Sequence, residues 1–454
     1  MSNVSAIILA AGAGTRMKSA YSKVVHKVCG APLVEWVYNA GEEAGVSKTV
    51  VVVGHKSEQV VGCLGEDKLY AIQEKQLGTG HAVMCAIPNL DDGGCVLVLS
   101  GDVPLITSET LKNAIEYHSE HRFAATIITA EVENPFGYGR IIRNETGDVK
   151  AIVEEKDASA AQKLITEINS GLYCFDTGLL RAALSELTTK NAQGEYYLTD
   201  TIEILLKNGY TVGAYKMADN KEIMGINDRM QLAHAESVMR RRIAEKHMKN
   251  GVTIIDPNST YIGPNVSIEQ DSVILPGTIL EGNTVIGQEC EIGPSSRIIG
   301  SVIGCGSTVE NSVVKESNIG SNVKIGPFAY IRPNCKVADN VKVGDFVELK
   351  NSNIGDGTKI SHLTYVGDSD VGKNVNFGCG TVTVNYDSKK KYRTTIGDNA
   401  FIGCNTNLIA PVEVGDRAYT AAGSTITENV PADSLAVARN HQVNKENWVK
   451  NKKF

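Results

Sequence analysis

The sequence predicts a Rossmann-like α/β domain with a mostly parallel sheet, followed by a parallel β-helix of hexapeptide repeats. In the first half, short apolar runs alternate with helical patterns, which is typical of a parallel α/β sheet. In the second half, an aliphatic residue recurs at every sixth position, a period that fits neither a helix nor an ordinary strand. A hexapeptide β-helix has this period, because each repeat places one aliphatic side chain in a continuous core.

The chain divides into three predicted segments, at residues 1–227, 228–250 and 251–454. In the first, strands are expected at 5–10, 49–53, 95–100 and 124–130, with helices at 32–44 and 80–86. The second is rich in Met, Ala, Glu and Arg and contains no Gly, so we predict a helical connector that ends at Gly251. The third is the predicted β-helix.

The six-residue period runs through most of the third segment. It is held by Ile262, Ile268, Ile274, Leu280, Ile286, Ile292 and Ile298, then by Ile319, Ile325, Ile331, Val337 and Val343, by Ile354, Ile360 and Val366, and by Ile396, Ile402, Leu408, Val414 and Ile426. Gly often follows the aliphatic residue, which we attribute to the tight corner between faces. The largest interruption, Val366 to Ile396, is where a repeat protein is expected to carry function.

Composition excludes several classes of protein. A net charge of −7 argues against a nucleic-acid binder, which normally has a basic face. The ten cysteines contain no Cys-x-x-Cys spacing, so they predict reduced thiols rather than a zinc site or a disulfide scaffold. The sequence has neither a signal peptide nor an apolar run long enough to span a bilayer, so we expect a cytoplasmic protein without membrane contacts.

A glycine-rich segment follows the first predicted strand, with the sequence Leu9-Ala10-Ala11-Gly12-Ala13-Gly14-Thr15-Arg16-Met17. Such a turn between a strand and a helix lets backbone N–H groups and the helix dipole attract a phosphate. Met17 stands where a dinucleotide fingerprint needs Gly or Ala, and Gly14 is not followed by the Lys-Ser/Thr of a P-loop. With Arg16 and Lys23 nearby, the segment predicts a triphosphate site.

Asp102 follows an apolar strand, at the end where open α/β sheets bind their ligands. A hard Mg²⁺ ion prefers oxygen ligands and keeps several waters, so Asp102 and one amide oxygen would suffice to hold it. The alternative is that Asp102 is a turn residue before Pro104.

Basic and aromatic residues gather around the interruption of the β-helix. Arg332 and Lys350 are spaced to face outward together, where they could bind a phosphate. An imidazole titrates near neutrality, so His362 could take a proton from a sugar amine that attacks a thioester. The run Lys389-Lys390-Lys391 could equally be a solvated loop tip.

The first half resembles sugar-nucleotide pyrophosphorylases. Their pattern is present in order as the glycine-rich segment with Lys23, Gln73, Gly78-Thr79, Gly101-Asp102-Val103-Pro104-Leu105, Gly137-Tyr138-Gly139-Arg140, Glu154-Glu155-Lys156, Asn169-Ser170-Gly171 and Gly225-Ile226-Asn227. With the hexapeptide segment, essentially the whole chain is similar to the bifunctional bacterial N-acetylglucosamine-1-phosphate uridylyltransferases and glucosamine-1-phosphate N-acetyltransferases. The resemblance implies a nucleotidyltransferase fold for the first half and a left-handed β-helix for the second.

For uridylyl transfer, the resemblance implies catalytic roles for Arg16 and Lys23 and a Mg²⁺ site at Asp102 and Asn227. The implied ligands of UTP and UDP-N-acetylglucosamine are Leu9, Ala10, Ala11, Gly12, Gly14, Lys23, Gln73, Gly78, Thr79, Gly139, Glu154, Asn169 and Asn227. Asn227 could instead cap the connector helix. Relatives often carry Tyr before Gly-Asp-Val-Pro, where this chain has Ser100.

For acetyl transfer, the resemblance implies that His362 is the general base. Glucosamine 1-phosphate would be held by Arg332, Lys350, Tyr365, Asn376 and Lys391, the last from a neighbouring subunit, and acetyl-CoA by Cys379, Asn385, Tyr386, Cys404, Ala422 and Arg439. Cys379 and Cys404 stand where Ala and Ser are expected. They are either small-residue substitutes or, alternatively, the site of a covalent acetyl-cysteine route.

The resemblance also implies a homotrimer with acetyltransferase sites between subunits. The expected substrates are glucosamine 1-phosphate, acetyl-CoA, N-acetylglucosamine 1-phosphate and UTP. Two alternatives remain open: a single-activity pyrophosphorylase with a regulatory β-helix, and a non-enzymatic scaffold. The first would not require His362, Arg332 and Lys350 together, and the second predicts loss of Arg16, Lys23 and Asp102, which are all present.

Overall fold

The computed structural model of the protein describes residues 3–191, 193–450 and 452. The chain forms two compact units, one up to Met239 and one from Arg240 onward. The division falls within a single helix of 21 residues, Arg229–Lys249.

The first unit is an α/β domain. Its strands are β1 Val4–Leu9, β2 Lys27–Val28, β3 Ala31–Pro32, β4 Lys48–Val53, β5 Leu69–Ile72, β6 Cys95–Ser100, β7 Ala125–Glu131, β8 Gly139–Arg143, β9 Val149–Val153, β10 Glu167–Asp176 and β11 Val212–Lys216. Its α-helices are α1 Leu33–Glu43, α2 Ser57–Leu64, α3 Thr79–Ala86, α4 Ser108–His121, α5 Thr177–Ser185 and α6 Asp200–Lys207, and Arg229–Lys249 is α7. Short 3₁₀ turns cover Thr15–Met17, Lys23–Val25, Ile87–Asn89, Gln162–Leu164 and Asn220–Ile223.

The main sheet has the strand order β11-β7-β10-β6-β1-β4-β5, with β8 and β9 added beside β10. The central strand β1 is parallel to both β4 and β6, and its side chains Ala6, Ile7 and Ile8 are fully buried. A strand covered on both faces needs such a continuous apolar run. β10 is antiparallel to β6 and β7, so the sheet is mixed but mostly parallel along this order, which confirms the predicted fold class. The carboxyl ends of β1, β4 and β6 therefore meet at one edge.

The second unit is a left-handed parallel β-helix with three faces. The first face contains Thr253–Ile254, Val273–Ile274, Glu291–Ile292, Thr308–Val309, Lys324–Ile325, Lys342–Asp345, Lys359–His362, Asn376–Phe377, Phe401–Ile402, Tyr419–Thr420 and Leu435–Ala436. The second contains Tyr261–Ile262, Ile279–Glu281, Arg297–Ile299, Val313–Lys315, Tyr330–Ile331, Glu348–Lys350, Tyr365–Gly367, Val382–Val384, Asn407–Ile409 and Thr425–Ile426. The third contains Ser267–Ile268, Val285–Ile286, Val302–Ile303, Asn318–Ile319, Lys336–Val337, Asn353–Ile354, Ser369–Val371, Thr394–Ile396 and Val412–Val414.

The aliphatic residues of the six-residue period form the core of this unit, as predicted. The gap that the period leaves after Ile298 is filled by Ile303, Val309 and Val314, all buried, because the chain there takes steps of five as well as six residues. Along most of this unit, residues at equivalent positions of successive coils are consequently 16 to 18 residues apart.

Some of the glycines that follow the aliphatic residues have a different cause from the predicted corner, although Gly293 and Gly326 do have the positive φ of a tight turn. Gly320 and Gly355 do not have a positive φ. A Cβ atom on Gly320 would instead lie 2.7 Å from the carbonyl carbon of Ala338, and one on Gly355 would lie 2.5 Å from that of Gly372. These glycines are required because successive coils pack backbone against backbone.

The interruption of the β-helix is shorter than the sequence indicates. The coil continues through Phe377 and Val382–Val384, and only the segment 385–393 leaves it. As a result, Val371 and its partner Ile396 are 25 residues apart. The loop is fastened by Arg393, whose guanidinium bonds both carboxylate oxygens of Asp370 at 2.6 and 2.7 Å.

Across the described part of the chain, the helices are all too short or too polar to cross a membrane.

Candidate active sites

The glycine-rich segment leaves β1 at Leu9 and turns at Gly14. Gly14 has a φ of +60°, and a Cβ atom there would lie 2.6 Å from the Cβ of Lys23. Only glycine permits this close approach of the loop to Lys23. The prediction of a helix directly after this loop is wrong. The chain instead makes a single 3₁₀ turn, Thr15–Met17, which ends where Lys18 adopts a left-handed conformation. The loop's N–H groups therefore act without the dipole of an α-helix.

Four polar side chains predicted from the sequence converge beside this loop. Lys23 forms an ion pair with Asp102 at the end of β6, and both side chains are mostly buried. The Lys23 ammonium also donates to Oδ1 of Asn227 at 3.1 Å, and Arg16 donates to the same oxygen at 2.9 Å. Asp102 and Asn227 are 125 positions apart in the sequence, yet side-chain oxygens of both contact the ammonium group of Lys23.

Gln73, Gly78 and Thr79 lie together after β5. The Gln73 side chain is buried and donates to the carbonyl oxygen of Gly78 at 3.0 Å. Thr79 begins α3, and its hydroxyl accepts a hydrogen bond from Leu198 at 3.1 Å. The sequence reading missed Gln76, whose amide donates to the carbonyl oxygen of Ala11 and so connects this group to the glycine-rich segment.

Gly139, Glu154 and Asn169 also form one cluster. Gly139 pairs with Asn169 across β8 and β10, and a Cβ atom on Gly139 would lie 3.4 Å from the Glu154 carboxylate. Asn169 is buried and donates to the Tyr173 hydroxyl at 2.7 Å. Burial raises the pKa of Glu154, with repulsion from Asp157 and Asp200 adding to it.

On the β-helix, three cationic side chains gather in one patch. Arg332 and Lys350 occupy successive coils, since the backbone N–H of Arg332 donates to the carbonyl oxygen of Leu349, the residue before Lys350, at 2.9 Å. The close approach of the Lys350 ammonium, which carries the same charge, lowers the pKa of Lys391. Lys391 thus lies close to Lys350 of the same chain, and its implied role in the site of a neighbouring subunit stays a prediction. Clustered cations of this kind suit a phosphate dianion.

Arg332 and Lys350 each have a carboxylate partner that was not predicted from the sequence. Arg332 bonds Glu348 at 3.0 Å, and Lys350 bonds Asp368 at 2.9 Å. Burial is the largest single influence and opposes the charge of Lys350, but the hydrogen bond to Asp368 and the negative charge of that carboxylate act against it, and the pKa of Lys350 is raised overall. Asn385 donates to Asp368 as well and lies 3.4 Å from the Tyr365 hydroxyl. Asn385 therefore belongs to this patch in the structure.

His362 lies at the end of the strand Lys359–His362 on the first face. Its Nδ1 atom is 2.6 Å from Oδ1 of Asp345, and 56% of the His362 side chain is exposed to solvent. Asn376 lies on the next strand of the same face, opposite Lys359. The sequence reading missed Asp345, although the coil period contains the signal: Asp345 precedes His362 by 17 residues, the spacing of stacked positions.

Cys379, Cys404 and Ala422 stack at one corner of three successive coils. The Asn405 N–H donates to the carbonyl oxygen of Cys379 at 2.7 Å, and a Cβ atom on Gly403 would lie 2.7 Å from the Ala422 nitrogen. Cys379 is half-buried and Cys404 is exposed.

The remaining residues of the implied acetyl-CoA set have two different locations. Arg439 adjoins the corner stack, since its Cδ lies 3.8 Å from the position of a Cβ on Gly423. Tyr386 lies instead on the loop 385–393, where its backbone forms an isolated antiparallel β-bridge with Lys391.

Within residues 3–191, 193–450 and 452, no three His, Cys, Asp or Glu side chains are grouped so that they could hold a metal ion.

Comparisons with known proteins agree with the two units. A family model described as nucleotidyl transferase matches residues 5–227, and one described as bacterial transferase hexapeptide (six repeats) matches residues 316–351 and 393–428. The chain is 59% identical over 449 residues to "Bifunctional protein GlmU" of Caldanaerobacter subterraneus subsp. tengcongensis, covering 99% of this chain and 98% of the relative.

Proteins of the same name from two further organisms are similar to the chain. The one from Acetivibrio thermocellus is 60% identical over 445 residues, covering 98% of this chain and 96% of the relative. The one from Clostridioides difficile is 53% identical over 450 residues, covering 99% and 98%.

The fold and the matched models define a nucleotidyl transferase domain joined to a hexapeptide-repeat transferase domain. Both halves of the chain align with the same relatives over nearly their whole length. The chain belongs to the GlmU family of bifunctional proteins.

Proposed function

We propose that this enzyme acetylates glucosamine 1-phosphate with acetyl-CoA and then transfers UMP from UTP to the N-acetylglucosamine 1-phosphate formed, and that it does so in the cytoplasm. In this proposal, residues 1–227 catalyse uridylyl transfer and residues 251–454 catalyse acetyl transfer. Residues 228–250 form the helical connector between these two segments. The observation that carries the proposal is that each half has its own group of reactive side chains. Arg16, Lys23, Asp102 and Asn227 converge in one half, and the β-helix carries both the Arg332, Lys350 and Lys391 patch and the paired His362.

In uridylyl transfer, a phosphate oxygen of N-acetylglucosamine 1-phosphate attacks the α-phosphorus of UTP. A new P–O bond forms, the bond between the α-phosphorus and the bridging oxygen breaks, and pyrophosphate leaves. Such a reaction needs positioning and charge neutralisation rather than a covalent intermediate. The N–H groups of Gly12 and Gly14, with Arg16 and Lys23, hold the triphosphate. Gln73, Gly78 and Thr79 bind the uracil, and Gly139, Glu154 and Asn169 bind the sugar.

Asp102 and Asn227 are the proposed ligands of Mg²⁺. The donor set fits this ion, because a carboxylate oxygen and an amide oxygen already converge on one positive charge, the Lys23 ammonium. When bound, Mg²⁺ would neutralise negative charge on the triphosphate. Lys23 would then turn from these oxygens toward the phosphates, for which its charge is equally suited.

In acetyl transfer, Nε2 of His362 accepts a proton from the sugar amine as its nitrogen bonds to the acetyl carbon. The C–S bond then breaks, and the proton passes from the imidazolium to the departing CoA sulfur. Arg332, Lys350 and Lys391 hold the sugar phosphate, with Tyr365, Asn376 and Asn385 beside it. Cys379, Cys404, Ala422 and Arg439 line the path of acetyl-CoA, and Tyr386 contacts it from the loop.

The phosphate site predicts a selective effect of Arg332→Ala. Loss of one charge-assisted hydrogen bond should raise the KM for glucosamine 1-phosphate about 10- to 100-fold. The KM for acetyl-CoA should stay near that of the wild type, as measured by thiol release with each substrate varied in turn. Arg297→Ala is a matched control, since Arg297 also pairs with a glutamate on the second face, Glu281, but lies two coils earlier. An equal rise in both variants would contradict the assignment.

We also propose that the chain forms a homotrimer through the β-helix. Phe328, Phe346 and Leu363 lie at one corner of three successive coils, each more than half exposed, and the two phenyl rings stack at 5.5 Å. An exposed apolar row beside Asp345 and His362 favours contact with a second copy. Sedimentation equilibrium should give three times the chain mass of 48.7 kDa. The mass of a single chain would contradict this proposal.

A coupled assay tests the proposed function. With glucosamine 1-phosphate, acetyl-CoA, UTP and Mg²⁺, we expect both free thiol and pyrophosphate to be released. Pyrophosphate from supplied N-acetylglucosamine 1-phosphate without any thiol would instead favour a single-activity pyrophosphorylase with a regulatory β-helix. Release of neither product would favour a scaffold.

A further inference from the structure

Asp345 and His362 form a carboxylate–imidazole pair across two coils of the β-helix. They are direct partners in the parallel ladder between Lys342–Asp345 and Lys359–His362, and Oδ1 of Asp345 lies 2.6 Å from Nδ1 of His362. Both side chains are partly exposed, 37% for Asp345 and 56% for His362. The pair lies at the surface, where a substrate can reach the opposite nitrogen of the ring.

Asp345 is ionised in this setting. The hydrogen bond with His362 lowers the pKa of the Asp345 carboxyl, and its own backbone N–H and the positive charge of Lys342 act in the same direction. An ionised carboxylate only accepts hydrogen bonds. The hydrogen in the short contact must therefore be carried by Nδ1, which leaves the lone pair of the neutral ring on Nε2.

Three paired strands surround the ring: Lys342–Asp345, Lys359–His362 and Asn376–Phe377. Asp345 is the one acidic residue in these strands. Lys342 and Lys359 stand three residues before Asp345 and His362 on their two strands, and Asn376 lies opposite Lys359 on the next. Asp345 is thus the acidic group in direct contact with the ring, and its charge also faces the imidazolium that forms during proton transfer.

We infer that Asp345 is a positioning residue for acetyl transfer, which fixes the imidazole of His362 so that Nε2 is the basic nitrogen facing the amine of glucosamine 1-phosphate. This inference rests on the proposed role of His362. Asp345 itself touches neither substrate; it selects the tautomer of the ring, limits its rotation and stabilises its protonated form.

The test is the isosteric variant Asp345→Asn in the full-length enzyme. An amide can donate to Nδ1 and so permits the opposite tautomer. We expect kcat for thiol release to fall about 10- to 100-fold, with the KM values for both substrates unchanged. ¹⁵N NMR of the histidine rings should show His362 with hydrogen on Nδ1 in the wild type and a loss of that preference in the variant.

Two controls make the outcome decisive. Asp356→Asn removes a similarly exposed carboxylate, one that pairs with Lys373 at 3.5 Å, and should keep the wild-type kcat. Equal melting temperatures of all variants would exclude a folding defect. If His362→Ala abolishes thiol release while Asp345→Asn leaves either kcat or the ring tautomer unchanged, the inference is overturned and the proposed function stands. If His362→Ala retains full thiol release, the proposed base itself is wrong.

Discussion

Replacement of His362 by alanine is expected to lower the rate of acetyl transfer about 10²- to 10⁴-fold, the usual contribution of a general base. His362 presents its Nε2 atom away from Asp345, and the Arg332, Lys350 and Lys391 patch that would hold the substrate phosphate remains intact in this variant. The loss should therefore appear in kcat far more than in the KM for glucosamine 1-phosphate. Thiol release from acetyl-CoA under saturating substrate measures it.

The uridylyl reaction is the internal control for this variant. Its candidate residues lie in the other compact unit, so pyrophosphate release from supplied N-acetylglucosamine 1-phosphate should match the wild type. Thiol release within tenfold of the wild-type rate would rule out His362 as the base. In that event the thiols of Cys379 and Cys404 would be the next groups to replace, because a covalent acetyl-cysteine route need not depend on His362.

The second large effect is expected for Asp102→Asn, which keeps the size of the side chain and removes its charge. Pyrophosphate release should fall about 10²- to 10³-fold, because the variant would hold less tightly the Mg²⁺ ion whose positive charge offsets that of the transferring phosphates. If the carboxylate acts by holding Mg²⁺, part of the lost rate should return as the Mg²⁺ concentration is raised. Thiol release should be unchanged.

Asp91→Asn is a matched control for this experiment. Asp91 also pairs with a lysine, Lys48, at 3.2 Å in the same unit, but it lies apart from the glycine-rich segment and is largely exposed. A rate reduced equally in both variants would indicate general destabilisation. A full rate in Asp102→Asn would contradict the proposed metal site.

The fold could be predicted because its patterns are periodic. Burial of Ile274, Leu280 and Ile286 follows directly from their six-residue spacing, since the core of a β-helix takes one side chain from each face. The buried strand Cys95–Ser100 was likewise found at its observed bounds, because a strand covered on both faces must be uniformly apolar. The helix after Gly14 was predicted wrongly, because the left-handed conformation of Lys18 is not encoded by a distinctive residue type.

The candidate sites were predictable only in part. Residues that carry a charge or stand in a recognisable motif, such as Asp102 and His362, could be proposed from the sequence. Their partners could not, because Asp345, Glu348 and Asp368 are ordinary surface acids until the coil register brings each beside a basic group. The register in turn varies between 16 and 18 residues, so the spacing alone leaves several acids as candidates.

The stacking of the β-helix has a consequence for how its sequence can change. Each coil contacts only the coil before and the coil after it, so the stability of this unit is approximately a sum of local contributions. The effect of a substitution near Ile262 or Ile268 on stability is therefore largely confined to the adjacent coils. It does not extend to the coils of Lys350 and His362. Early coils can therefore change in sequence or number during evolution while the coils with the proposed acetyl-transfer residues stay under independent selection.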